Sequence, residues 1–233
     1  MAAETDEPRN PLDSLKSHPE VRLLPRLSAT EVAELGARLA IKPSEDVELL
    51  LGYASGFEAQ SVDRVDFTGR SFTFHFSELT PSGIAIAKSV EGNFWVVDPS
   101  PGGSWDRILY FSHDPPVVVI AFLSLGMFID EALTGQHLPK GATELARRVW
   151  QELPRGLMTS EVDSGADPLI VEFSRKLGPE FAIFDLRNSG VGRGFVWGGA
   201  RPDADCARMG TELVFAVRQP QAPRSWFGRI FGR

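Results

Sequence analysis

The apolar residues in the first quarter of the chain repeat at helical spacing. Ser28-Ala29-Thr30-Glu31 has the form of a capping box, in which the serine and the glutamate each close one free backbone amide. We therefore predict a helix over about 28–40, and a second one that begins at Pro43 and Ser44 and is capped by Gly56. The apolar positions that define the two helices are Val32, Leu35, Leu39, Val47, Leu50, Leu51 and Ala54.

The period changes to two after Asp63. Phe72, Phe74 and Phe76 alternate with polar residues, which predicts a strand that buries the three phenylalanines on one face. Four more strand candidates are joined by short turns, and a parallel crossover would need about a dozen residues. We therefore predict an antiparallel meander, followed by a closing helix that ends near Thr134. The four candidates are Gly83–Lys88, Asn93–Asp98, Arg107–Phe111 and Val117–Ile120.

The clearest helical stripe of the chain runs from Ala142 to Leu153 and ends at Pro154. Because such a stripe is usually core, we interpret Trp150 as packing against the sheet or the second half. Four strand candidates follow, and the pattern leaves open whether they extend the first sheet or form a layer of their own. They are Leu169–Ser174, Phe181–Arg187, Gly194–Trp197 and Glu212–Val217.

The order of these elements predicts an α+β protein. It contains an antiparallel meander with N-terminal helices and a closing helix, plus a strand-rich C-terminal half. The first 22 residues carry three prolines and mixed charge, which indicates a mobile lead-in with at most one helical turn. The predicted divisions are this lead-in (1–22), an α+β domain (23–140), a helix with a strand-rich region (141–223) and a tail (224–233).

Composition limits the classes of function. The net charge of −7 argues against a general nucleic-acid binder and favours a basic partner, although such a charge also simply keeps proteins soluble. The longest apolar stretch, 115–123, falls short of the roughly 20 residues that span a bilayer. The acidic start lacks the apolar centre of a secretory signal, and the single cysteine, Cys206, fits a reducing compartment. We therefore expect a cytoplasmic protein without a transmembrane segment.

The sequence contains no nucleophile elbow, phosphate-binding loop with lysine, HExxH motif or cysteine pair. The segment Gly190-Val191-Gly192-Arg193-Gly194 comes nearest, but it lacks the Gly-x-Gly-x-x-Gly frame and is interpreted as a hairpin loop. The pair His113-Asp114 lacks a further ligand at metal-binding spacing. We therefore expect no cofactor, no metal and no enzymatic activity. An enzyme site assembled in the C-terminal half is the weakest alternative.

Five segments of the N-terminal half carry a family pattern when they are taken in order. They are Leu27–Glu31, Leu39–Asp46, Gly92–Asp98, Ile108–Asp114 and Phe122–Leu133. This order resembles the SUKH superfamily of Smi/Knr type over about residues 23–134. The chain departs from the family after the second helix, where many members have Asn-Gly-Gly and this chain has Ala54-Ser55-Gly56-Phe57.

The resemblance implies a bacterial immunity protein that binds and neutralises a cognate toxin, often a nuclease. The alternative that it implies is a regulatory scaffold of the Smi/Knr type. Net acidity fits a basic toxin domain, because an acidic patch steers a basic partner and speeds its association. The candidate partner-binding residues lie in the loops of the meander and are Asp98, Trp105, Asp106, His113 and Asp114.

The last ten residues carry three arginines and no acid. A helical turn would gather their apolar side chains into a strip suited to a groove or an anionic membrane surface. Alternatively, the strip packs on its own domain, which we favour slightly because each buried side chain contributes about 1.5 to 3 kcal/mol. The strip consists of Trp226, Phe227, Ile230 and Phe231.

Overall fold

The computed structural model describes residues 10–76, 78–135, 138–198 and 206–219. The predicted tail docking strip, Trp226 to Phe231, lies outside these residues. The helices are α1 (Pro11–Lys16), α2 (Ala29–Leu39), α3 (Glu45–Tyr53), α4 (Leu125–Thr134), α5 (Leu138–Glu152) and α6 (Pro168–Arg175). The strands are β1 (Gly56–Ala59), β2 (Asp63–Asp66), β3 (Ile84–Lys88), β4 (Phe94–Val97), β5 (Ile108–His113), β6 (Pro116–Phe122), β7 (Leu157–Met158), β8 (Phe181–Asp185), β9 (Gly194–Val196), β10 (Cys206–Arg208) and β11 (Val214–Arg218).

These elements form an α+β fold with only antiparallel pairings among the described strands. The first sheet has the order β3-β4-β5-β6-β9, the second β10-β11-β8-β7, and β1 and β2 form a hairpin. The predicted fold class and the meander β3 to β6 are confirmed. The strands of the C-terminal half belong to two sheets: β9 extends the first sheet, and β7, β8, β10 and β11 form the second.

The first sheet separates two apolar layers. One face, which includes Trp95 and Tyr110, packs against helices α1 to α5. The other face, which includes Phe111, packs against Phe215 and its neighbours in the second sheet. The outer face of the second sheet is covered by α6 through residues such as Phe173. The protein is thus built of four layers: helices, first sheet, second sheet and α6.

The start of α2 confirms the predicted capping box. The backbone amide of Ser28 donates to the Glu31 carboxylate at 2.8 Å, and the amide of Glu31 donates to the Ser28 hydroxyl at 3.3 Å. The backbone amide and the hydroxyl of Ser28 both donate to the Glu31 carboxylate and hold its pKa below its ordinary value. The box fixes the direction in which α2 leaves the preceding loop.

Ser28→Ala is expected to lower the free energy of unfolding by about 0.5 to 2 kcal/mol, because it removes the side-chain acceptor at the helix start. Urea unfolding followed by circular dichroism measures the loss. Thr30→Ala is the matched control, since Thr30 is exposed on the first turn and does not cap. An equal loss in both variants would contradict the role of the cap.

The lead-in is more ordered than its prolines indicate. The Asn10 side chain caps α1 by accepting from the amides of Leu12 and Asp13. Leu15 is 1% exposed and belongs to the apolar core between the helices and the first sheet. α1 is the short helix that the prediction allowed in this segment, and one buried leucine and one cap hold it in place.

The segment from Phe72 to Phe76 is not a strand, which corrects the prediction. Its phenylalanines are half-buried and its polar residues are exposed. The side chains therefore alternate as they would in a strand, but the backbone is not paired with another strand. Phe74 contacts Phe111 with ring centroids 5.1 Å apart, and Phe76 contacts Trp197 at 5.3 Å. The segment uses its side chains to cover part of the face of the first sheet that packs against the second sheet.

Three other predictions for single elements are wrong. Leu169–Ser174 lies in α6, where the Asp167 side chain accepts from the Leu169 amide at 2.8 Å. Gly56 lies in β1 and does not cap α3, which ends at Tyr53 with Ala54 as its C-cap. Trp150 is 42% exposed, so it does not pack into the core as the stripe indicated.

Candidate functional site

The structure does not bring the five predicted partner-binding residues together. Asp98 is 7% and Trp105 is 3% exposed, so neither is available to a partner as predicted. Asp106, His113 and Asp114 are exposed. Asp106 precedes β5 and His113 ends it, so these two lie about 20 Å apart at a rise of about 3.3 Å per residue. They cannot belong to one small site.

Asp98 is buried because it pairs with an arginine from the second sheet. The two terminal nitrogens of the Arg208 guanidinium, Nη1 and Nη2, donate to its two carboxylate oxygens, at 2.7 and 2.8 Å. Burial raises the pKa of Asp98, and the bonds from Arg208 oppose that rise. Arg208 also donates to the carbonyl oxygens of Leu79 and Glu212. The pair joins the end of β4 to β10.

His113 is held by a buried asparagine. The side-chain oxygen of Asn93 lies 2.8 Å from Nδ1 of His113 and accepts from the His113 backbone amide at 3.1 Å. The Asn93 amide nitrogen donates to the Tyr110 hydroxyl at 2.9 Å, and burial raises the pKa of Tyr110. These contacts give a structural role to Asn93 in the segment Gly92–Asp98 and to His113 in the segment Ile108–Asp114. Within the described ranges, no group of three or more potential ligands could hold a metal ion.

Asp106 lies on a cleft of about 330 Å³ where the starts of α1, α3 and α4 converge. Asp46 forms a second acidic wall, and the Asn10 amide donates to it at 3.4 Å. No lysine or arginine among the described residues lies within 4.0 Å of either carboxylate. We call this the acidic cleft, lined by Asn10, Pro11, Ser44, Asp46, Val47, Ser104, Trp105, Asp106, Ser124 and Leu125.

A larger groove of about 720 Å³ lies between α2 and α3. Small side chains on one side of α2 leave it open, and Glu48 is the only acid on its wall. We call this the apolar groove. It is lined by Leu27, Ala29, Val32, Ala33, Gly36, Ala37, Ala40, Ile41, Lys42, Pro43, Glu48 and Gly52.

The groove and the cleft lie on either side of the connection between α2 and α3. Lys42 and Pro43 line the groove, and Ser44 lines the cleft. The Ser44 amide donates to the Gly103 carbonyl oxygen at 3.0 Å, which ties this connection to the loop that carries Asp106. Groove and cleft therefore form one surface, which we call the α2–α3 surface.

Comparisons with protein-family models, with curated proteins and with solved structures each return nothing. The resemblance to the SUKH superfamily therefore stays a prediction. Two of the segments that carry it, Leu27–Glu31 and Leu39–Asp46, contribute residues to the α2–α3 surface. In the described part of the chain, no helix is long and apolar enough to cross a membrane.

Sequence reasoning selected Trp105 and Asp106, which both line the acidic cleft, but missed the rest of this surface. One available signal is the run of small residues Ala29, Ala33, Gly36 and Ala37 at helical spacing, beside the buried face of α2. A second is the acidic first turn of α3, Glu45 to Glu48, which the positive end of a helix dipole favours. Both signals are equally typical of an ordinary surface helix that binds no partner.

Proposed function

We propose that the protein binds another protein through the α2–α3 surface, and that it is a non-enzymatic immunity protein that neutralises a cognate toxin with a basic binding face. The observation that carries this proposal is the juxtaposition of the apolar groove with the carboxylates of Asp46 and Asp106, which have no lysine or arginine within 4.0 Å among the described residues. Stable protein interfaces combine an apolar centre with a polar rim. The α2–α3 surface supplies the apolar centre on α2 and α3 and the polar rim on α3 and the loop that carries Asp106.

The two parts of the surface have different tasks in this proposal. The apolar groove accepts an apolar anchor of the toxin, and its burial supplies most of the affinity. Asp46 and Asp106 attract lysine or arginine side chains and raise the association rate constant. A nuclease carries a basic face because it must bind phosphates, so an acidic inhibitor is complementary to it. Rapid capture suits a protein that protects against a lethal enzyme.

Asp106→Lys is expected to slow association with the cognate toxin, which is sought first among the products of neighbouring genes, by about tenfold at low salt, because it reverses a charge at the interface. The difference shrinks at high salt, where the ions screen the attraction. Asp163→Lys is the matched control, since it makes the same change in net charge at an exposed loop before α6. Stopped-flow fluorescence measures both rate constants.

Equal slowing by both substitutions would mean that only net charge matters and would contradict a local role for the acidic cleft. Loss of protection against the toxin in a growth assay, confined to the Asp106 variant, would support the proposal. A protein that binds no neighbouring toxin but several unrelated partners would favour the regulatory scaffold of the Smi/Knr type. Hydrolysis of a substrate panel by the purified protein would contradict the non-enzymatic assignment.

A further inference from the structure

Two large apolar side chains are exposed side by side on α3. Leu49 is 55% exposed and Tyr53 is 40% exposed. They lie four positions apart in one helix, so their side chains are neighbours on its surface. Gly52, which lines the apolar groove, lies three positions after Leu49 and is its neighbour in the same way. We call Leu49 and Tyr53 the α3 ridge, and this ridge borders the apolar groove.

The charges beside the ridge have opposite signs at its two ends. Glu45 and Asp46 are exposed in the first turn of α3. At the other end, the ammonium of the exposed Lys16 lies over the ring of Tyr53, 5.6 Å from the ring centroid. Leu49 lies midway along the nine residues of the helix. The solvent side of α3 therefore changes from acidic through apolar to basic.

A surface of this kind is complementary to a second copy of itself. In a pair related by a twofold axis, every contact of residue i with residue j is matched by a contact of j with i. At a rise of about 1.5 Å per residue, Asp46 lies about 4.5 Å before Leu49, and Tyr53 lies about 6 Å after it. Two antiparallel α3 helices that cross at Leu49 would therefore bring Asp46 of each copy level with Lys16 of the other.

Gly52 leaves space for the ridge of the second copy. A Cβ at Gly52 would meet nothing within 4 Å. A leucine that arrives from outside can therefore pack beside Leu49 without displacing another side chain. Helices that have small residues at their contact approach to an interaxial distance of about 8 Å. The antiparallel direction also places the positive end of each helix dipole beside the negative end of the other.

We propose that two copies of this chain pair through α3, with Leu49 at the centre and with Asp46 of each copy beside Lys16 of the other. The apolar contact supplies the affinity, and the charges fix the antiparallel direction. Each copy carries a net charge of −7, which repels the other copy at long range, so the pairing is reversible. Pairing does not depend on the proposed function, although a toxin at the α2–α3 surface would displace the second copy.

Sedimentation velocity of the full chain tests the proposal over a concentration range of about 1 to 500 μM. The sedimentation coefficient is expected to rise with concentration as monomers pair. Leu49→Asp is expected to raise the dissociation constant of the pair about tenfold or more, because it places a charge at the centre of the contact. Leu169→Asp is the matched control, since Leu169 is 48% exposed, lies on α6 and undergoes the same change in charge. It should leave the dissociation constant unchanged.

An exchange of charges tests the antiparallel direction while the apolar contact stays intact. Asp46→Lys and Lys16→Asp should each raise the dissociation constant about three- to tenfold, because each places like charges opposite one another. The variant that carries both substitutions should recover the original value, since the opposite charges then face each other again. Circular dichroism verifies that each variant is folded.

A chain that stays monomeric over the whole concentration range would overturn the proposal. So would a pair that Leu49→Asp does not weaken, or a double charge variant that pairs no better than the single ones. A monomeric chain that binds a toxin through the α2–α3 surface would overturn the pairing and leave the proposed function intact. Pairing that responds to these substitutions as expected, in a chain for which no toxin is found, would support the pairing and count against the proposed function.

Discussion

Arg208→Met is expected to lower the free energy of unfolding by about 3 to 5 kcal/mol, because it leaves the Asp98 carboxylate buried without its counter-charge. The side chains of the two partners are only 3% and 6% exposed, so water cannot replace the lost bonds. The variant also loses the donors to the carbonyl oxygens of Leu79 and Glu212. Chemical denaturation with guanidinium chloride measures the change.

Two controls separate the buried pair from ordinary surface charge. Arg147→Met removes the partner of Glu144 in a pair whose side chains are about half exposed, and should cost less than about 1 kcal/mol. The double variant Asp98→Leu, Arg208→Met removes both charges and should recover most of the lost stability. A loss in the single Arg208 variant no larger than in the Arg147 variant would contradict the importance of the pair.

Gly103→Ala is expected to cost about 2 to 4 kcal/mol and to weaken partner binding at the α2–α3 surface. Gly103 has a φ of +80°, a conformation that disfavours side chains, and an added Cβ would collide with the Lys42 carbonyl oxygen. The same Cβ would lie 2.9 Å from the Ser44 amide nitrogen. The change must therefore separate the loop of Asp106 from the start of α3.

The neighbouring glycine provides the matched control for this substitution. A Cβ at Gly102 would meet only the Ser100 hydroxyl oxygen, at 3.8 Å, so Gly102→Ala should be close to neutral. Urea unfolding and titration calorimetry with the toxin measure stability and affinity in both variants. If Gly103→Ala is as stable and binds as well as Gly102→Ala, the contact between this loop and α3 does not hold the surface together.

The sequence predicted the parts of the fold that depend on local signals. The cap at Ser28 and Glu31 and the short turns of the meander act within a few residues, so the pattern alone is sufficient. Phe72 to Phe76 shows the limit of this reasoning. Alternation reports which side chains face the core, but it does not report whether the backbone has a partner.

The helix α6 was mistaken for a strand because Ile170, Val171 and Phe173 favour strands by their intrinsic propensity. Two stronger signals lay just before them, since Asp167 is a good N-cap and Pro168 is tolerated in the first helical turn. Short helices of this kind depend on their caps and on packing against a sheet more than on propensity.

The candidate site was only partly predictable for a different reason. Asp98 and Asp106 are both acids in the same loop region, and nothing local distinguishes the buried one from the exposed one. Asp98 is buried because Arg208, 110 positions later, arrives beside it. The apolar groove likewise depends on how α2 and α3 pack. Features that rest on distant contacts cannot be read from local pattern.

The pairing of β6 with β9 has a consequence for synthesis on the ribosome. Val118 pairs with Phe195, and the second sheet is complete only when β11 has emerged at Arg218. At about 5 to 20 residues per second, about 5 to 20 s pass between the emergence of β6 and of β11. During that interval the second sheet is not yet there to cover the face of the first sheet against which it later packs. That face includes Phe111, Val118 and Ile120. The nascent chain therefore exposes this apolar face until β11 has emerged, and such a surface is prone to aggregation unless it is shielded.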